Sequence, residues 1–96
     1  MVSGTSLLTV VIYDIENDAV RKRMSDACKN MGMERVQYSS FRGSLTAAER
    51  RTLYGKLGDL LGDKAGRVLV IPLCEKDAAD VREINNSSWG SVKSEA

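Results

Sequence analysis

Apolar positions along the chain alternate between two periods. From Leu7 to Ile15 (LLTVVIYDI) β-branched and aromatic residues run with scarcely a polar break, the pattern of a strand covered on both faces. From Val20 the apolar residues fall at Val20, Met24, Ala27, Cys28 and Met31, the spacing of one helix face, and Gly32 follows where a left-handed C-cap belongs. Asn17 or Asp18 supplies the N-cap, and Asp18 also complements the positive end of the helix dipole. Arg35 to Phe41 alternates, Val36 and Tyr38 against Gln37, Ser39 and Phe41, which predicts a strand that ends or bends near Arg42-Gly43. Only twelve residues, Glu34 to Leu45, separate the two helices, room for two short strands with a tight turn or bulge. Thr46-Ala47-Ala48-Glu49 is a capping box, opening a helix with Leu53, Leu57, Leu60 and Leu61 on its apolar face and closing at Gly62. Gly55 and Gly58 inside it each cost roughly 1 kcal/mol relative to Ala, so this helix depends on packing. Arg67 to Cys74 (RVLVIPLC) is a second two-sided apolar run, in which Pro72 marks a failing ladder or a sheet edge.

The resulting order, β-α-β-β-α-β, is the α+β ferredoxin-like sandwich, an antiparallel sheet with two helices on one face. The chain is expected to be a single domain over residues 1–96, with a core of about 7–74 and a polar tail over 75–96 that holds Val81, Ile84 and a lone Trp89. Two helices can cover only one face of the sheet, whereas both long strands are apolar on two sides. A second copy of the chain is the simplest cover for the open face, so a homodimer packed through its sheets is expected.

Composition narrows the class. With 96 residues and 43% hydrophobic content the chain has the size of one small domain. No apolar run approaches the ~18 residues that cross a bilayer, and Met1 to Leu8 lacks the flank of a targeting signal, so no membrane partner and a cytoplasmic location are expected. Histidine is absent, which excludes Ser-His and Cys-His nucleophile pairs and imidazole metal ligands. Any hydrolysis must use carboxylates, a metal or both. Cys28 and Cys74 match no zinc or CxxC spacing and are expected to be small buried residues in a reducing compartment. Neither a P-loop nor a G-x-G-x-x-G motif occurs.

Charge is segregated although the net value is only +1. Residues 1–18 carry three acids and no base, residues 19–56 nine bases against three acids, and residues 57–96 five bases against seven acids. A basic middle behind an acidic strand end fits a polyanion partner with a metal-holding spot nearby, and equally fits solvated helix faces. Asp14 ends the first strand, where a rigidly held carboxylate oxygen suits a hard cation at ~2.0 to 2.1 Å for Mg²⁺, or where an Asx turn leads into the helix. Across the axis of a twofold dimer a second Asp14 would complete the pair. Arg21, Arg23, Arg35 and Arg42 are cations able to position phosphates, and Tyr13 and Phe41 are aromatic groups able to stack on bases or to fill a core.

The segments Val11-Ile12-Tyr13-Asp14-Ile15, then Asp18, Arg21, Arg23 and Gly32, then Arg35-Val36-Gln37-Tyr38-Ser39-Ser40-Phe41-Arg42-Gly43 and Leu45, resemble the small CRISPR-associated endonuclease family, the lesser partner of the spacer-acquisition integrase. The likeness runs over residues 7 to 74 in order and spacing, with Ser40 standing where the family usually has a small aliphatic residue. It implies a homodimer whose Asp14 binds Mg²⁺ or Mn²⁺ and is catalytic, and in which Tyr13, Arg21, Arg23, Arg35, Ser39 and Phe41 match positions implicated in nuclease activity. Arg21, Lys22, Arg23, Arg35 and Arg42 are the expected nucleic-acid contacts. RNA or double-stranded DNA is the implied substrate, the integrase subunit the implied protein partner, and the tail is expected to add a strand to the partner's sheet. Two other readings stay open: a non-catalytic DNA-binding adaptor that bridges integrase dimers, and a toxin-type ribonuclease of the same fold.

Overall fold

A computed structural model describes residues 5–86. Its elements run β1 (Ser6–Ile15), α1 (Asp18–Asn30), β2 (Glu34–Gln37), β3 (Ser40–Thr46), α2 (Ala47–Leu61), β4 (Gly66–Leu73) and α3 (Glu75–Ala79). The strands form one sheet in the order β2-β3-β1-β4 with every neighbouring pair antiparallel, which is the ferredoxin-like arrangement. Both long helices lie on one face of it. Val11, Tyr13 and Ile15 of β1 and Phe41 and Leu45 of β3 pack there against Val20, Met24, Ala27 and Cys28 of α1 and Leu53 and Leu57 of α2.

Local chemistry sets the boundaries. The Asn17 side chain accepts the Val20 N–H at 2.9 Å to open α1, and Gly32, at φ 81°, takes the left-handed position after its end. The Thr46/Glu49 capping box opens α2, with hydrogen bonds of 3.1 and 2.8 Å. β4 is an edge strand, which is where Pro72 is tolerated.

Two expectations need correction. The hairpin between the helices turns at Tyr38-Ser39, and β3 runs straight through Arg42-Gly43 instead of ending there. Gly43 serves a close approach: a Cβ on it would lie 3.1 Å from Met33 Cγ and 3.2 Å from Met33 Cα. Cys28 is buried as expected, but Cys74 is exposed, because it stands at the N-cap of α3 beyond the end of β4. Within the tail, Glu75–Ala79 forms a short helix, and Val81 to Asn86 continue without regular elements. Trp89 and the rest of the tail fall outside the described residues. No helix among the described residues is long and apolar enough to cross a membrane.

Candidate metal and nucleic-acid site

Alternation along β1 decides which face each candidate occupies. Thr9, Val11, Tyr13 and Ile15 point into the core, which turns Leu8, Val10, Ile12 and Asp14 to the face that the helices leave open. In register with them on β4 stand Leu73, Ile71, Leu69 and Arg67. The open face thus carries an apolar strip two strands wide that ends in Asp14 and Arg67. Ile12, Leu69 and Ile71 remain 41%, 45% and 36% exposed, so this stretch of the strip is uncovered within one chain, whereas Val81 to Asn86 line a concavity with Leu8, Val10 and Leu73 at its other end. Asp14 is exposed at its end, and among the described residues no cluster of three or more metal-capable side chains surrounds it. Arg42 lies on the same face, opposite Val10 and Glu34 in register, and sits 3.5 Å from Glu34 and 3.6 Å from Glu83.

The remaining candidates gather behind the sheet. Tyr13 and Phe41 are 4% and 0% exposed, with ring centroids 6.5 Å apart and planes 21° from parallel, so both rings belong to the core. The Arg35 guanidinium lies over Phe41 at 4.9 Å and donates to the Tyr38 carbonyl at 2.6 Å and the Ser25 hydroxyl at 2.9 Å, tying the hairpin turn to α1. Its Nε is buried with no acceptor. Burial pushes the Tyr13 phenol above its ordinary value, with the Arg35 charge working in the opposite direction. Burial likewise pushes the Cys28 thiol up to about 11.

Arg21 donates to the Ile15 carbonyl at 2.9 Å and the Glu16 carbonyl at 3.1 Å, pairs with Asp18, and places its guanidinium 5.7 Å from the Tyr38 ring centre. Tyr13 N–H donates to the Ser39 carbonyl at 3.0 Å. The backbone around Asp14 is thereby held from both sides, by Ser39 at the preceding residue and by Arg21 at the two following ones. Lys22 pairs with Asp26 on the α1 surface, and Arg23 is exposed.

The structure thus brings Tyr13, Arg21, Arg35, Ser39 and Phe41 together and puts Asp14 on the opposite face of the same strand. Sequence reasoning missed Arg67, which only strand register places beside Asp14, and Glu83, which lies on an irregular segment. It also left Ser25, Lys29 and Tyr38 unassigned, though the spacing of Ser25 and Lys29 after Arg21 and Lys22 marks one helix face.

A family model for CRISPR associated protein Cas2 matches residues 7–81. The chain belongs to the Cas2 family. It is 44% identical over 69 residues to the CRISPR-associated endoribonuclease Cas2 of Desulforudis audaxviator, covering 72% of this chain and 65% of that relative. To the CRISPR-associated endoribonuclease Cas2 1 of Archaeoglobus fulgidus it is 34% identical over 87 residues, covering 91% of this chain and 93% of the relative. Among solved structures, Cas2 of Streptococcus pyogenes superposes with a TM-score of 0.65 at 25% identity, over 82% of this chain and all of the other. A hypothetical protein of Thermus thermophilus gives 0.66 at 28% identity, over 72% and 83%. Both structures share the α+β fold of this chain, a four-stranded antiparallel sheet with helices.

Proposed function

We propose that this chain is a metal-dependent endonuclease of CRISPR defence that hydrolyses phosphodiester bonds of RNA or DNA as a twofold homodimer. The observation that carries the reading is the position of Asp14: an exposed carboxylate at the end of an uncovered apolar strip. A second copy laid against that strip covers it and brings a second Asp14 toward the first. The two Asp14 carboxylates would be the residues to hold Mg²⁺ or Mn²⁺, a donor chemistry that fits a hard cation. When bound, the ion supplies Lewis acidity toward the phosphate and a more acidic water.

This chain's own residues do the rest. Asp14 holds its oxygens at a fixed place because the strand end on which it stands is tied down by Tyr13, Ser39 and Arg21. Arg67, its register neighbour, and Arg42 on the same open face supply positive charge for the phosphate backbone, and Arg21, Lys22, Arg23 and Arg35 extend the basic surface on the helix side. The relatives' names as CRISPR-associated endoribonucleases support the activity. Spacer acquisition together with the integrase subunit is the cellular setting, and the cytoplasm, where both free thiols stay reduced, is the compartment.

The test is cleavage of single-stranded RNA, single-stranded DNA and duplex DNA in Mg²⁺, Mn²⁺ and EDTA, by the wild type and by Asp14→Asn, with binding measured separately. Cleavage is expected to need the metal and to vanish in Asp14→Asn while binding persists. If Asp14→Asn cleaves as fast as wild type in matched metal, the catalytic role of Asp14 is wrong. If neither protein cleaves and both bind duplex DNA, the chain is the non-catalytic adaptor.

A further inference from the structure

On the helix side of the sheet, away from Asp14, α1 and the β2–β3 turn line an open concavity of about 330 Å³. That is the lower end of the range for small-molecule sites, roughly 300 to 1,000 Å³. Its wall carries Arg21, Lys22, Lys29 and Arg35 against two acids, Asp18 and Asp26. The acids are already engaged, Asp18 by Arg21 and Asp26 by Lys22. Lys29 has no ion pair among the described residues, and Arg35 has as acceptors only a carbonyl and a hydroxyl, so two positive charges stand uncompensated. The rim holds Tyr38, which is 67% exposed, its ring steadied by the Arg21 guanidinium.

Uncompensated cations beside an exposed aromatic ring suit a ligand with a negative group and a free π-face. We propose that this concavity binds one unpaired nucleotide of a single-stranded nucleic acid, its phosphate set against Lys29 and Arg35 and its base laid on Tyr38. A duplex cannot offer that base, because its faces are occupied by stacking within the helix. The site rests on the reading of the chain as a nucleic-acid-binding protein, yet it owes nothing to Asp14. It gives the protein a way to hold a single-stranded stretch on the helix side while chemistry takes place on the open face.

The test is fluorescence anisotropy with a labelled six-nucleotide uridine RNA strand and a blunt DNA duplex, in EDTA so that nothing is cut. Tyr38→Ala should weaken single-strand binding roughly tenfold and leave duplex binding unchanged, and Tyr38→Phe should bind as wild type. Lys29→Ala should lower single-strand affinity and reduce the slope of log affinity against log salt by about one. Unchanged single-strand affinity in Tyr38→Ala, an equal loss on duplex, or an unchanged salt slope in Lys29→Ala overturns the site. Asp14→Asn is expected to bind the strand normally here. Full cleavage by Asp14→Asn would overturn the catalytic reading alone, whereas the Tyr38 and Lys29 results judge only this pocket.

Discussion

The apolar strip on the open face makes a quantitative demand on the assembly. Ile12, Leu69 and Ile71 are 41%, 45% and 36% exposed in the single chain, so about two fifths of each side chain remains to be buried. Full burial of such a side chain is worth about 1.5 to 3 kcal/mol, which leaves roughly 0.6 to 1.2 kcal/mol for each and about 4 to 7 kcal/mol for the six in a twofold pair. The half-buried Leu8, Val10 and Leu73 add to this, enough to offset a good part of the freedom lost on association. Ile12→Asp removes two of these contributions and places two new carboxylates inside the interface, close to both copies of Asp14. Leaving such a charge buried and unpaired costs about 3 to 5 kcal/mol, so the dimer dissociation constant should rise at least about 100-fold.

Sedimentation velocity across a concentration series reads this directly. Wild type should sediment as a dimer at micromolar concentration and Ile12→Asp as a monomer. Tyr54→Glu, at an exposed position of α2 on the opposite side of the sheet, should remain dimeric. The substituted chain should still fold, because Ile12 is already two fifths exposed within it. A monomeric wild type, or an Ile12→Asp dimer of unchanged affinity, would refute the assignment of this face.

Three further outcomes follow from the fold. Gly43→Ala puts a Cβ against Met33 Cγ at 3.1 Å and its backbone Cα at 3.2 Å, and should cost about 1 to 3 kcal/mol, seen as a lower denaturant midpoint at unchanged slope; an unchanged midpoint would mean that β3 has room there. The Cys28 thiol is pushed from 9.0 to about 11 by burial, so the unfolded chain gives up this proton first and stability falls as pH rises from 9 to 11, by about 1.4 kcal/mol per unit. The raised Tyr13 phenol acts in the same direction at higher pH, and Cys28→Ala should remove the thiol's share of the slope in denaturant titrations. A thiol reagent should label the exposed Cys74 in the native protein and reach Cys28 only after unfolding.

Where a hydrophobic period was long, the fold was legible in the sequence. β1, α1, α2 and β4 lie where the runs from Leu7, Val20, Thr46 and Arg67 put them, because each buries a stripe at the period of its element. The hairpin was misplaced for a physical reason: its turn at Tyr38-Ser39 contains no glycine, asparagine or proline, while the conspicuous Arg42-Gly43 lies within a strand whose glycine is needed for packing on Met33. The five residues of α3 are too few to show a helical period. For the candidate site, the place of Asp14 at a strand end was readable from the end of the apolar run at Tyr13-Asp14-Ile15. Its neighbours across the strands were not, because Arg67 becomes one only through the register of β4.

The split of the candidate residues between two faces bears on how substitutions at them are to be read. Tyr13 and Asp14 are consecutive and therefore point oppositely, so the Tyr13–Phe41–Arg35 stack cannot meet a phosphate held at Asp14 of the same chain without crossing the sheet. What this set does reach is the backbone that carries Asp14. Arg35 fixes the turn through the Tyr38 carbonyl, the Ser39 carbonyl in that turn receives the Tyr13 N–H, and Arg21 holds the Ile15 and Glu16 carbonyls. A carboxylate that shares a cation with its copy across a twofold axis must be placed within a fraction of an ångström, and every displacement of the strand end enters twice. Losses of activity at Arg21, Arg35 or Phe41 are thus expected even where the side chain touches neither substrate nor metal. Such losses should be accompanied by a fall in thermal stability, which Asp14→Asn, exposed and outside these hydrogen bonds, should not show.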